Sequence, residues 1–421
     1  MIRDAGFGPR LVREYNELNI LRFIKNEGPI SRAQLAKKYK ISKAAVSEII
    51  NDLLQQGYIR EMGVGNSTAL GGRRPIMIEF NPKSGYAIGI EIKRDHAIIA
   101  LGDLNANIHQ SEQIEFSQGS PLQNVLEKIF LIIDSYQAVR WVKQAKPVGI
   151  GVAIPGLINY RTGVIQESDT LKEWQNFPLR DVLENRYNVE TIIENDVKTQ
   201  ALGECRFGNG KDRDHVIYLW IGDGLGAGII INRELYRGIS ASAGEIGYYE
   251  PGWFISDRDE FGLLYTNQKN FGDLLAEAVL LDGARKGLER GLETSMPIHN
   301  LSVNQIIHFA DKNDPLAVEL LREYGTLVGV VCMNLINVLN PELILIGGHE
   351  LAHSKTLLKF IRKQVKSSAL RTPGHAVQIK SATGWATAGI MGAIGLILED
   401  LFYMERLNVA RYRDVFGFRR E

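Results

Sequence analysis

The chain has 421 residues, 45% hydrophobic and 23% charged, with 49 Lys/Arg balancing 49 Asp/Glu. That length exceeds one hydrophobic core and predicts two or three domains of ordinary globular composition. It excludes a membrane protein built on apolar spans, since no run of about 18 apolar residues occurs, and a disulfide framework, since only Cys205 and Cys332 are present. Residues 1–13 lack an apolar signal segment, so a reducing cytoplasm is the expected compartment.

The charge is unevenly spread. Residues 1–80 carry 13 Lys/Arg against 8 Asp/Glu, and the remainder carries 36 against 41. The basic end is therefore where nucleic-acid contact is expected. Residues 14–26 place Leu18, Ile20, Leu21, Phe23 and Ile24 on a helical stripe, which Gly28-Pro29 ends. Ser31 and Gln34 read as a capping box opening a second helix over 31–39. After a short turn, Ser42 caps a third helix with Ala45, Val46, Ile49, Ile50, Leu53 and Leu54 inward, closed by Gly57.

Two short helices joined by a tight turn predict a helix-turn-helix whose third helix enters the major groove. Ser42, Lys43, Ala44 and Ser47 are then the groove-facing residues, with Ser31 and Arg32 beside them. Residues 58–61 and 76–80 read as the strands of a wing. The loop between them ends in Gly71-Gly72-Arg73-Arg74, and the arginine pair suits phosphate or minor-groove contact. An isolated pair of this kind would more often be a solvated turn or an interdomain salt bridge. Residues 1–80 thus read as a winged helix-turn-helix domain that binds double-stranded DNA.

From Tyr86 the pattern changes. YAIGIEI, HAIIALGDL, PVGIGVAIPG, VETIIENDV and HVIYLWIGDGLGAGIII read as strands, some buried on both faces, with helical stretches between. This is an α/β body.

The segments GGRRPIMIEFNPKSGYAIGIEI, VAIPGLI, IIENDV, IGDGLGAGIIINRELYRGISASAGEIG and NLINVLNPELILIGG, in that order, resemble the ROK family of repressors, open reading frames and sugar kinases. With the helix-turn-helix, the resemblance covers almost the whole chain. It implies a two-lobed, actin-like sugar-kinase fold of the ribonuclease-H type. The first lobe spans 81–198 and is completed by 385–421; the second spans 199–384 and carries the oligomerisation surface of a homodimer or higher oligomer. The chain resembles in particular the family's xylose-operon repressors. That resemblance implies an operator-binding repressor that answers to xylose, glucose or a similar sugar held between the lobes.

By motif position the resemblance assigns sugar contact to Pro155, Gly156, Trp174, Asn195, Asp196 and Glu245, and to Tyr248, which stands where relatives have His. On the residues alone, Asp196 reads rather as the cap of a helix beginning near Val197. Trp174 reads equally as core packing, and Glu245 as a buried carboxylate held by backbone amides.

The family's kinases need turns that cradle phosphate. At the first, where the family has Asp-x-Gly-Gly-Thr, the corresponding stretch is Gly89-Ile90-Glu91-Ile92-Lys93-Arg94-Asp95, and neither glycine of the turn remains. At the second, Gly222-Asp223-Gly224 sets a carboxylate where triphosphate would lie. The departures at Lys93 and Asp223 predict loss of kinase activity, with no cofactor. The alternatives are a sugar kinase that uses ATP, and a repressor governed by a protein partner. Residues 248–272 contain no Cys or His, so the family's structural zinc is not expected. Trp253 and Asp257 are possible substitutes for lost sugar ligands. His349 and His353, four apart, read as solvated or capping side chains.

Overall fold

The computed structural model describes residues 9–64, 74–253, 262–264, 268–297 and 301–403. The N-terminal domain comprises α1 (Pro9–Glu27), β1 (Ile30–Ser31), α2 (Arg32–Tyr39), α3 (Lys43–Gln55), β2 (Ile59–Val64) and β3 (Ile76–Phe80). The capping box at Ser31 forms: its Oγ accepts from the Gln34 amide, and the Gln34 side chain accepts from the Ser31 amide at 3.0 Å. Ser42 Oγ accepts from the Ala45 amide at 3.1 Å and opens α3. These caps satisfy amides that the first helical turn leaves unpaired. The strands form an antiparallel sheet in the order β1-β3-β2. Strand β1 has two residues, too few to leave a periodic pattern, and the sequence reading missed it.

The first lobe follows with β4 (Gly85–Ile92), β5 (His96–Asp103), β6 (Ile108–Glu115), α4 (Leu122–Ser135), β7 (Lys146–Ile154), β8 (Leu157–Asn159), β9 (Val164–Glu167), α5 (Leu179–Tyr187) and β10 (Thr191–Asn195). Its main sheet runs β6-β5-β4-β7-β10, with β4–β6 an antiparallel meander and β7 and β10 added in parallel. All eight residues of β4 are buried, as befits a strand covered on both faces.

α6 (Asp196–Phe207) leads into the second lobe: β11 (Val216–Ile221), β12 (Leu225–Ile231), β13 (Glu234–Leu235), α7 (Phe271–Leu274), α8 (Glu277–Glu289), α9 (Val303–Asp311), α10 (Pro315–Leu339), β14 (Leu343–Gly348), α11 (Lys355–Ser368), α12 (Arg371–Ala376) and β15 (Gln378–Ser381). The sheet order is β13-β12-β11-β14-β15, again a meander with parallel strands added beyond its first member. The same ribonuclease-H plan therefore occurs twice, which is the actin-like architecture. α13 (Trp385–Leu398) returns to pack on β4 and β7 and ends in a π-helical turn, Glu399–Tyr403. Among the described residues no helix is long and apolar enough to cross a membrane.

Two packing features connect the parts. A Cβ on Gly392 of α13 would lie 2.0 Å from the Thr199 carbonyl of α6, so these two helices meet backbone to backbone. The DNA-binding domain also shares a core with the first lobe. Leu18, Leu21, Ile50 and Phe80 belong to one apolar cluster with Ala87, Ala100, Ile394, Leu401 and Phe402.

Candidate functional site

The cleft corner lies where β10 ends and α6 begins. A parallel strand that hands over to a helix at its C-terminal end leaves side chains and free amides facing a crevice. Asn195 is the N-cap of α6: its Oδ1 accepts from the Lys198 amide at 3.1 Å. Its Nδ2 donates to the Gly156 carbonyl and to Asp196 Oδ1, both at 3.1 Å. Asn195 thus joins Pro155-Gly156, Asn195 and Asp196 into one surface. Asp196 Oδ1 also accepts from the Val197 amide at 2.9 Å. The cap of α6 is therefore Asn195 rather than Asp196, which stands beside it as the first helical residue. Burial raises the Asp196 carboxyl above its usual range; the Val197 amide and nearby Lys93 oppose the shift, and Glu245 adds to it.

Glu245 reaches this corner from the second lobe through Lys198, whose Nζ lies 3.8 Å from Glu245 Oε1. Its side chain is 42% exposed and free to accept from ligand hydroxyls, which the alternative of a buried structural carboxylate would not allow. Tyr248 follows on a short 3-10 turn and is 73% exposed. Trp174 requires correction. It is 2% exposed, packs edge-on to Phe177 at 6.4 Å, and sits in the first lobe's core with Ile165 and Leu179. A ring enclosed this way offers no face to a sugar.

The two altered phosphate turns face each other. Lys93 Nζ lies 3.4 Å from Oε1 of Glu91, whose side chain is fully buried at the end of β4. Burial raises the Glu91 carboxyl, and Lys93 opposes that shift. Arg94 of the first lobe approaches Asp223 of the second at 4.0 Å. Sequence reading did not single out Glu91, Glu194, Lys198 or Arg237. Glu194, 1% exposed, accepts from Arg237 Nε at 2.6 Å and from the Asn195 amide at 2.9 Å. Arg237 therefore ties the second lobe to the first beside the candidate sugar site. The partners lie 43 residues apart, and no local pattern announces the pair.

The DNA-facing residues divide. Ser42, Lys43 and Ala44 are exposed at the start of α3, and Ser47 is half-buried on the next turn. Arg74 is exposed at the base of the wing, and Arg73 lies outside the described residues. Ser31 requires correction: it is 3% exposed and its hydroxyl is held by Gln34, so it is a cap with nothing to offer a duplex. Arg32 donates to Asn51 Oδ1 at 2.9 Å and lies 3.6 Å from Glu61, bracing α3 against the wing. Asp257 and the Trp253 side chain also lie outside the described residues. Among those that are described, no group of three or more His, Cys, Asp or Glu is placed to hold a metal ion.

Together these features define a winged-helix DNA-binding domain on an actin-like body whose two lobes meet through polar and charged side chains. Residues 13–60 match the winged helix-turn-helix DNA-binding family, and residues 87–400 match the ROK family. The chain belongs to the ROK family. It is 28% identical to the xylose repressor of Bacillus subtilis (strain 168), over 93% of this chain and 97% of that protein. It is 31% identical to the N-acetylglucosamine repressor of Escherichia coli O157:H7, over 86% of this chain and 87% of that one. The crystal structure of a ROK family transcriptional regulator, a homolog of the E. coli MLC protein, has the same fold: TM-score 0.78 and 23% identity, covering 97% of this chain and 100% of that one.

Proposed function

We propose that the protein represses a carbohydrate-utilisation operon, with xylose the first candidate effector, and that sugar bound between the lobes changes its grip on DNA. The observation that carries this reading is the placement of α6. Its N-terminus bears Asn195 and Asp196, and its C-terminal Arg206 is bonded to Glu399, in the turn on which the DNA-binding domain rests. A sugar that bridges Asp196 and Glu245 draws on both lobes, because carboxylates and amides accept from and donate to adjacent hydroxyls. Any shift of α6 against the first lobe then reaches the recognition helix through packed elements.

The body acts as a sensor rather than a kinase. Lys93 is engaged with Glu91, and Asp223 presents a negative charge where a nucleotide's phosphates would need donors. Two copies place two α3 helices on half-sites about 34–36 Å apart or a multiple of that. Val338 and Leu370, exposed on the second lobe and joined through Asn337, are candidate contacts between copies.

A thermal-shift screen of monosaccharides tests the reading, since a ligand that binds only the folded state raises the melting temperature. The expected result is a shift with xylose or a close relative, and no sugar phosphate on incubation with ATP and Mg²⁺. Rapid phosphorylation of any sugar would overturn the sensor reading.

A further inference from the structure

We infer that Lys198 is a positioning residue of the sugar site, fixing Glu245 and its loop against α6; the inference rests on the cleft being a sugar site. Lys198 occupies the first turn of α6, where the helix dipole disfavours a cation. Its side chain is nevertheless 2% exposed. An ammonium taken out of water at an unfavourable helix end persists only where fixed partners replace its hydration.

Those partners are both on the loop that follows β13. Lys198 Nζ donates to the Ala241 carbonyl and lies 3.8 Å from Glu245 Oε1. Ala241 has φ +62°, a conformation that costs a non-glycine residue unless something holds it. Further along, Gly244 has φ +94°, and a Cβ there would lie 1.9 Å from the Ala227 carbonyl. The Gly244 carbonyl accepts from the Ala227 amide at 2.9 Å. The loop is therefore tied to β12 at Gly244, to the first lobe through Arg237 and Glu194, and to the helix that bears Asp196 through Lys198. The last tie sets where Glu245 stands relative to Asp196. Two carboxylates held in fixed relation select a ring whose hydroxyls match their spacing.

The test compares Lys198→Met, Lys198→Arg, Glu245→Gln and the Met/Gln double variant. D-xylose, D-glucose and N-acetyl-D-glucosamine are the ligands offered in calorimetry. For whichever sugar the wild type takes, Lys198→Met should weaken binding at least tenfold, and Lys198→Arg should restore it to within about threefold. In the Glu245→Gln background, Lys198→Met should add less than twofold. An effect under twofold alone, or an undiminished effect without Glu245, overturns the inference. Amide exchange provides the second arm: residues 241–246 should exchange faster in Lys198→Met, with β7 unchanged, and unchanged exchange at 241–246 also overturns it. If the wild type takes none of the three sugars, the sugar reading fails for them, and exchange alone decides the role of Lys198. Lys198→Gln serves if the methionine variant does not fold.

Discussion

Arg206, at the C-terminal end of α6, donates through Nε to Glu399 Oε2 at 2.9 Å, and both side chains are largely withdrawn from solvent. Arg206 also donates to the Arg233 carbonyl at 2.6 Å, so the same guanidinium binds the second lobe. Three residues beyond Glu399, the Phe402 carbonyl accepts from Arg22 Nε at 2.9 Å, and the Tyr403 hydroxyl accepts from Lys25 Nζ at 3.1 Å. Arg22 and Lys25 lie on α1 of the DNA-binding domain. Asp196 and Arg206 stand at opposite ends of one helix, so the candidate sugar corner and the anchor of the DNA-binding domain belong to a single rigid element.

Glu399→Gln should uncouple the two ends. It removes the charge that balances a buried guanidinium, and breaking such a pair costs up to about 3–5 kcal/mol. The melting temperature should fall and the calorimetric affinity for sugar should stay near wild type. The ratio of DNA affinities with and without sugar should approach one.

Asp196→Ala should leave DNA affinity unchanged and abolish the response to sugar. Asn195 still caps α6 in this variant, so the fold is retained. Circular dichroism checks the fold, and fluorescence anisotropy on a labelled duplex checks both affinities.

The DNA face separates by salt dependence. Lys43→Ala and Arg74→Ala should each weaken binding to all sequences and reduce the slope of log K against log salt by about one. Ser31→Ala should lower stability by about 1 kcal/mol through the lost cap and leave that slope unchanged.

Glu17 gives the DNA-binding domain a pH dependence. Burial first, then Asp52, raises its carboxyl to about 7, against the pull of Arg13. Its Oε1 is buried with no hydrogen-bond partner among the described residues. The folded chain therefore keeps a proton that the unfolded chain releases near pH 4.5. This contribution to stability is fully present below pH 4.5 and is lost as pH rises to 7. Glu17→Gln should flatten that slope and stabilise the protein at pH 8 by up to roughly 3 kcal/mol, measured by urea unfolding at several pH values.

The helix-turn-helix was legible because its signals are local. Ser31 with Gln34, Ser42 with the Ala45 amide, and Gly57 act within a few residues of themselves. The lobes were legible through motifs, and Asn195-Asp196 lies where β10 hands over to α6. Arg206–Glu399 spans 193 residues and Glu194–Arg237 spans 43, and pairs brought together only by the fold leave no periodicity to read. Trp174 and Ser31 failed as ligands for a related reason. Residue type told what each side chain could do, and burial decided what it does instead.

A sugar-operated repressor must change its DNA affinity when the interlobe site is occupied. The most direct test is the affinity of wild-type protein for a duplex selected from a randomised pool, at fixed salt, with and without a sugar that calorimetry shows to saturate the cleft. The affinity should change by about 5- to 150-fold, the span of ordinary coupling free energies. An affinity that stays the same while the cleft is fully occupied would contradict this coupling.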